Sequence, residues 1–169
     1  MERELQTLLK NSSLHTLLLV AAKMLSRSGF GDIEFAGRLK RRDKSLDGGH
    51  ELFCTGTLGS VQIRTVVKVV NDSVRLRMID ELAGTALRMR ADFGVIVSTQ
   101  HITAAALRFQ FSHRPIRIVV IDGWEFAHSL RKLGIGVRPS GDVDYQFFGA
   151  LELIQKQLFG AARRETHEP

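Results

Sequence analysis

The chain has 169 residues, of which 44% are hydrophobic, enough to bury one ordinary core, so a single domain with short tails is expected. Its net charge of +6 favours an anionic partner, most simply nucleic acid. Cys54 is the only cysteine, which excludes an intrachain disulfide and a cysteine-based metal cluster and fits a reducing cytoplasm.

Residues 1–11 are polar and read as a loose lead-in or a first helical turn. Asn11-Ser12-Ser13 offers an N-cap, after which Leu14, Leu17, Leu18, Ala21, Ala22 and Leu25 recur at helical spacing up to Ser28-Gly29. That run is interrupted by His15, Thr16 and Lys23 and falls short of the roughly 20 residues of a membrane span. It also lacks a basic start and a small-residue cleavage site, so neither an anchor nor a signal peptide is expected. Phe30 to Ala36 reads as a short strand, followed by a basic loop from Gly37 to Lys44. Glu51 to Thr55 and Val61 to Val70 read as two strands of a hairpin joined by Gly56 to Ser60. In the second strand the odd positions, Val61 to Val69, are nearly all apolar and are expected to face the core. Lys68, on the even face, is expected to point away from that core, toward a cleft or solvent.

Asn71-Asp72-Ser73 reads as the cap of a long helix from Val74 to about Arg90, with Leu76, Ile79, Leu82, Ala83, Ala86 and Leu87 on its buried stripe. Phe93 to Ser98 is a continuous apolar strand of the central parallel kind. A helix near Thr103 to Phe111, a strand from Ile116 to Ile121 and a helix from Trp124 to Leu133 follow. This alternation predicts an α/β fold with a mixed central sheet flanked by helices and right-handed crossovers. Arg138 to Asp142 is a turn-rich break. Tyr145 to about Arg163 reads as an amphipathic helix that either packs back or offers a partner surface, and the tail from Arg164 is expected to fray. The expected organisation is a lead-in over 1–11, a domain over 12–137, and a turn, helix and tail over 138–169.

The chemistry concentrates in Leu46-Asp47-Gly48-Gly49-His50-Glu51 and Thr65-Val66-Val67-Lys68. Asp47 and Glu51 read either as carboxylates on a metal or as a turn residue and an exposed strand start, Asp-Gly being a common turn dipeptide. Lys68 reads either as a catalytic lysine or as a phosphate-contacting or solvated one. Arg38, Lys40, Arg41 and Arg42 form a phosphate clamp or a solvated charge run, with Arg64 as a further basic contact. Ser98, Thr99 and His101 lie where α/β sheets bind ligands, or simply cap the next helix. Trp124 reads as a packing residue.

As an ordered set these residues resemble the Mrr-like restriction endonuclease family of the PD-(D/E)XK nuclease superfamily. The matching pieces are Gly29-Phe30, Asp47-Gly48-Gly49-His50-Glu51, Val66-Val67-Lys68, Val97-Ser98-Thr99 and Ile121-Asp122-Gly123, so the resemblance covers roughly residues 14–137. It implies a restriction-endonuclease-like fold, DNA as partner, catalytic positions at Asp47, Glu51 and Lys68, and Mg²⁺ held by Asp47 and Glu51 in an active member. Three departures stand out. Glu51 occupies the place of the metal-binding Asp, no acid lies between Gln6 and Gly31 where the family carries a helical glutamate, and Val66 replaces the Gln or Glu two residues before the lysine. Valine offers no oxygen to a cation that needs a near-octahedral oxygen shell.

Three functions follow as expectations. One is a catalytically degenerate DNA-binding module. Another is an active Mg²⁺-dependent endonuclease with a ligand supplied from elsewhere, such as Glu34. The third is an interaction subunit that forms a homo-oligomer through its C-terminal helix.

Overall fold

The computed structural model describes residues 2–35, 50–110 and 115–160. Five strands lie side by side in chain order: β1 (Phe30–Phe35), β2 (His50–Leu58), β3 (Val61–Val70), β4 (Phe93–Ser98) and β5 (Arg117–Ile121). β1, β2 and β3 pair antiparallel, whereas β3, β4 and β5 run parallel. The hairpin turn is tighter than expected, because Leu58 pairs with Val61 and only Gly59 and Ser60 remain unpaired. Gly59 takes φ 61°, the left-handed conformation that a two-residue hairpin turn requires.

Helices cover both faces. On one face α1 (Glu2–Asn11), α2 (Leu14–Arg27), α5 (Gly123–Lys132) and α6 (Tyr145–Gly160) enclose a core that includes Leu5, Leu17, Phe126, Phe148 and, from β3, Val67 and Val69. On the other, α3 (Leu76–Arg88) and α4 (Ala104–Gln110) enclose Val66, Val70, Ile79, Leu82, Ala106 and Ile118. Parallel strands demand this double cover, which is why β3 is buried on both sides. The mixed sheet flanked by helices is the architecture expected for a restriction-endonuclease-like chain.

Three segments differ from the sequence expectation. Residues 2–11 are a complete helix, with Leu5 and Leu9 fully buried, Glu2 paired to Arg131 of α5 at 2.5 Å and Glu4 accepting from Tyr145 of α6 at 2.8 Å. Asn71-Asp72-Ser73 does not cap α3, whose N-cap is Arg75 without a side-chain bond. The segment instead ties strands to helix: Asn71 Nδ2 donates to the Lys10 carbonyl at 3.0 Å, and Ser98 Oγ donates to the Asp72 carbonyl at 2.6 Å. Leu87, placed on the buried stripe of α3 from its spacing, is 49% exposed. The cap of α2 is as read, Ser13 Oγ accepting from Thr16 N, and α5 is capped by Asp122, which accepts from Trp124 N and Glu125 N.

Candidate functional site

The hairpin register sets Glu51 of β2 directly opposite Lys68 of β3. Directly opposed residues share a face, with Cβ atoms about 5 Å apart. Both are buried, at 8% and 7% exposure. Lys68 points away from the core of Val67 and Val69 as expected, but of the two destinations, cleft or solvent, it does not reach solvent, because α3 lies over the even face as well. Its neighbours Val66 and Val70 on that face belong to the core beneath α3.

A buried ammonium needs a partner, and α3 supplies one. Lys68 Nζ lies 3.2 Å from Glu81 Oε2, while Arg77 Nε donates to Glu81 Oε1 at 2.7 Å. Burial alone would raise the Glu81 carboxyl, but hydrogen bonds from Arg77 and Lys68, reinforced by their charges, hold it below the usual carboxylate range. Sequence reasoning missed Glu81. Its signal was an acid beside the apolar stripe of the helix that follows the lysine strand, four residues after an arginine.

The other candidates are dispersed. Arg64 lies on the same face of β3, four residues before Lys68 and so about 13 Å away along the strand. It is exposed, and its backbone N–H donates to Asp92 Oδ2 at 2.8 Å. Glu34 of β1 is exposed opposite Phe53, diagonal to Glu51. Asp47 and the basic residues Arg38, Lys40, Arg41 and Arg42 lie outside the described residues. The chain leaves β1 at Phe35 and returns at His50, which pairs with Val69 beside Lys68.

Ser98 and Thr99 are buried and serve the fold. Ser98 Oγ accepts from Gln100 N at 2.9 Å besides donating to Asp72, and Thr99 Oγ1 donates to Asn71 Oδ1. Gly123 is needed because a Cβ there would collide with the Thr99 carbonyl. Trp124, expected to pack, is 52% exposed at the start of α5.

Mg²⁺, which the resemblance implies, does not fit the described donors. Glu51 offers oxygens, but Val66 is fully buried and offers none, and no three His, Cys, Asp or Glu side chains among the described residues group at metal-holding spacing. The arrangement provides instead a buried ammonium on β3, paired to a carboxylate of α3 and set cross-strand from a second carboxylate on β2.

Comparison with known proteins agrees with this architecture. The solved structure described as "DNA modification-dependent restriction endonuclease AspBHI" superposes with a TM-score of 0.62 at 13% identity, over 93% of this chain and 40% of that one. The MspJI restriction endonuclease in complex with a 27-mer oligonucleotide gives 0.52 at 21% identity, over 92% of this chain and 34% of that one. This chain thus spans well under half the length of either. No curated protein matches it. The model of the Mrr_cat restriction endonuclease family matches residues 9–130, which hold all five strands and the helices from α2 to most of α5, and the chain belongs to that family.

Proposed function

We propose that this protein is a DNA-binding domain of restriction-endonuclease fold whose nuclease motif is degenerate. The observation that carries the reading is Val66. It sits two residues before Lys68, on the same face, fully buried against α3. An oxygen ligand at that position would have to displace core packing. Further support comes from Lys68, whose ammonium is engaged by Glu81. DNA as partner draws on the net charge of +6 and on family membership. Arg38, Lys40, Arg41 and Arg42 are assigned the phosphate contacts, with the exposed Arg64 assisting. Such contacts position a duplex without reading its bases, so binding is sequence-tolerant.

The test joins binding to cleavage. Affinity for a short duplex, followed by fluorescence anisotropy across a salt series, should fall steeply, with a log–log slope of about −0.9 per phosphate contact. Changing Arg38, Lys40, Arg41 and Arg42 together to Ala should weaken binding and flatten that slope. Calorimetry with Mg²⁺ or Mn²⁺ should give no isotherm, and plasmid should stay intact overnight. Binding that ignores salt, or that survives the fourfold change, removes DNA from the reading. Plasmid nicking with Mg²⁺ that disappears in Lys68→Ala would establish the second reading, an active endonuclease with its remaining ligands elsewhere.

Leu153 and Ile154 on α6, 64% and 42% exposed, favour self-association of the chain through that helix as a separate contribution. Sedimentation of the Leu153→Lys, Ile154→Lys variant tests it, and an unchanged mass distribution discards it.

A further inference from the structure

The carboxyl ends of three neighbouring strands carry a polar shelf that neither the core nor the Lys68–Glu81 pair uses. β3, β4 and β5 run parallel and stop level, Val70 beside Ser98 and Val97 beside Ile121. The segments that follow them emerge at one edge, where open α/β sheets take their ligands. Backbone hydrogen bonds tie these segments together. Val74 N–H donates to the His101 carbonyl and Thr103 N–H to the Val74 carbonyl, both at 3.0 Å, and Gly123 N–H donates to the Gln100 carbonyl at 2.7 Å. Lys68 is two residues from the end of β3, so the shelf and the Glu51–Lys68 pair share one end of the sheet.

The floor of the shelf is tightly bonded and its upper side is not. Beneath, Ser98 Oγ meets the Asp72 carbonyl at 2.6 Å. Above, Ser73 Oγ lies 3.3 Å from Gln100 Oε1 and 3.4 Å from His101 Nδ1, and Gln100 Nε2 lies 3.3 Å from the Asn71 carbonyl. A hydroxyl has one proton to donate, and hydrogen bonds between oxygens are normally about 2.7–2.8 Å long. A hydroxyl, a carboxamide and an imidazole therefore converge without satisfying one another. Gln100 is half-buried and His101 exposed, so both are open to a ligand. The carboxylates nearby are taken up, Asp72 by Ser73 N and Arg75, and Asp122 by Trp124 N and Glu125 N. Their charge disfavours a phosphate here. Next to Gly123, at the same edge, the Trp124 indole stands 52% exposed.

An exposed indole beside convergent donors and acceptors suits a flat heteroaromatic ring with a polar edge. We propose that the shelf takes an unpaired nucleobase of the bound DNA, its ring stacked on Trp124 and its edge hydrogen-bonded by Gln100, His101 and Ser73. Stacking on an aromatic side chain accepts any base, whereas a carboxamide, donor and acceptor side by side, discriminates between base edges. The shelf depends on the DNA-binding reading only for the class of partner, not for the phosphate contacts assigned to Arg38, Lys40, Arg41 and Arg42.

Trp124 is the only tryptophan, so its emission reports on the site directly. A single-stranded oligonucleotide added to the full chain should quench it, and a fully paired duplex should not. A duplex with one bulged base separates the sources. Quenching by it as well means that the shelf takes a base displaced from a helix, and quenching by the single strand alone means that it takes an already open strand. Trp124→Ala should weaken single-strand binding by about tenfold, read by anisotropy of a labelled strand, and Trp124→Phe should restore most of it. Gln100→Leu should bring the affinities for different homopolymer strands closer together while the quench remains. Should Trp124→Ala fail to fold, the emission and Gln100→Leu decide. Single-strand binding that leaves the emission unchanged and survives Trp124→Ala overturns the proposal while the duplex reading stands. So does equal quenching by the fully paired duplex, and so does a chain that binds no single strand. A single strand that quenches where the paired duplex does not bind at all keeps the shelf and removes the duplex reading.

Discussion

The two faces of the sheet are built from the same strands to different rules. The face under α1, α2, α5 and α6 is apolar over the end of β3 that carries Val67 and Val69, and Thr65 brings a buried hydroxyl to it nearer the hairpin. The face under α3 and α4 also has a core, but Lys68 and Glu51 sit at its margin and Glu81 reaches down to meet them. One face is organised by volume, the other by volume and charge together. Sheet alternation tells which residues share a face and says nothing about what lies over it. Lys68 is buried because of a helix that begins after β3 has ended.

The comparison breaks most easily on the apolar face. Phe126→Ala, at a fully buried position of α5, should cost about 3–5 kcal/mol, seen as a lower midpoint in urea unfolding. A loss under about 1 kcal/mol would mean that this face collapses to refill the cavity and is not organised by volume.

On the charged face, Val66→Glu should destabilise the metal-free protein by about 2–4 kcal/mol, since it buries an extra carboxylate in the core under α3. Mg²⁺ or Mn²⁺ should restore part of that loss in a thermal melt if the missing oxygen is the main defect of the motif. A variant as stable as the parent without metal would show that Val66 is not held as tightly as its burial implies.

Glu81→Ala should cost about 1–3 kcal/mol, less than a fully buried pair because the Glu81 side chain is 28% exposed. Lys68→Met, which removes the buried charge and leaves Glu81 its Arg77 partner, should cost less than Glu81→Ala. The reverse order would mean that Lys68 is held chiefly by something other than Glu81. The sign with pH follows from the depressed Glu81 carboxyl. Its contribution is present above the ordinary carboxylate pKa of about 4.3 and is lost as pH falls through the lower folded value. Glu81→Ala should therefore flatten the acid limb of the stability–pH curve.

The smallest effect concerns Cys54, on the apolar side of β2. Burial pushes its thiol up to about 11, so it should resist a thiol reagent at pH 8 in the folded protein and react promptly in urea. Fast labelling of the folded chain would show that the apolar face opens locally.

Much of the fold was legible in the sequence. β3 and β4 have the ends that their apolar runs gave them, and Ser13 caps the helix that it precedes. α1 was not legible, because its burial rests mainly on Leu5 and Leu9, one turn apart among polar residues. Two leucines at that spacing contribute about 1.5–3 kcal/mol each only when another helix covers them. Of the site, the pairing of Glu51 with Lys68 follows from the hairpin, since register fixes which side chains share a face. Glu81 does not, because its place depends on how α3 lies across the sheet. Trp124 was read as packing from its residue type alone, and type says little about exposure at a helix start.

The docking of α1 has a consequence for how the chain matures. Its leucines wait for α5, and Glu2 meets Arg131 across almost the whole described chain. During synthesis at about 5–20 residues per second, the first helix emerges many seconds before its partner. Through that interval Leu5 and Leu9 have no permanent neighbours, and contacts so distant in sequence close slowly. The docking of α1 is thus a late step of folding, and a nascent chain arrested before α5 would hold a helix without its main partner.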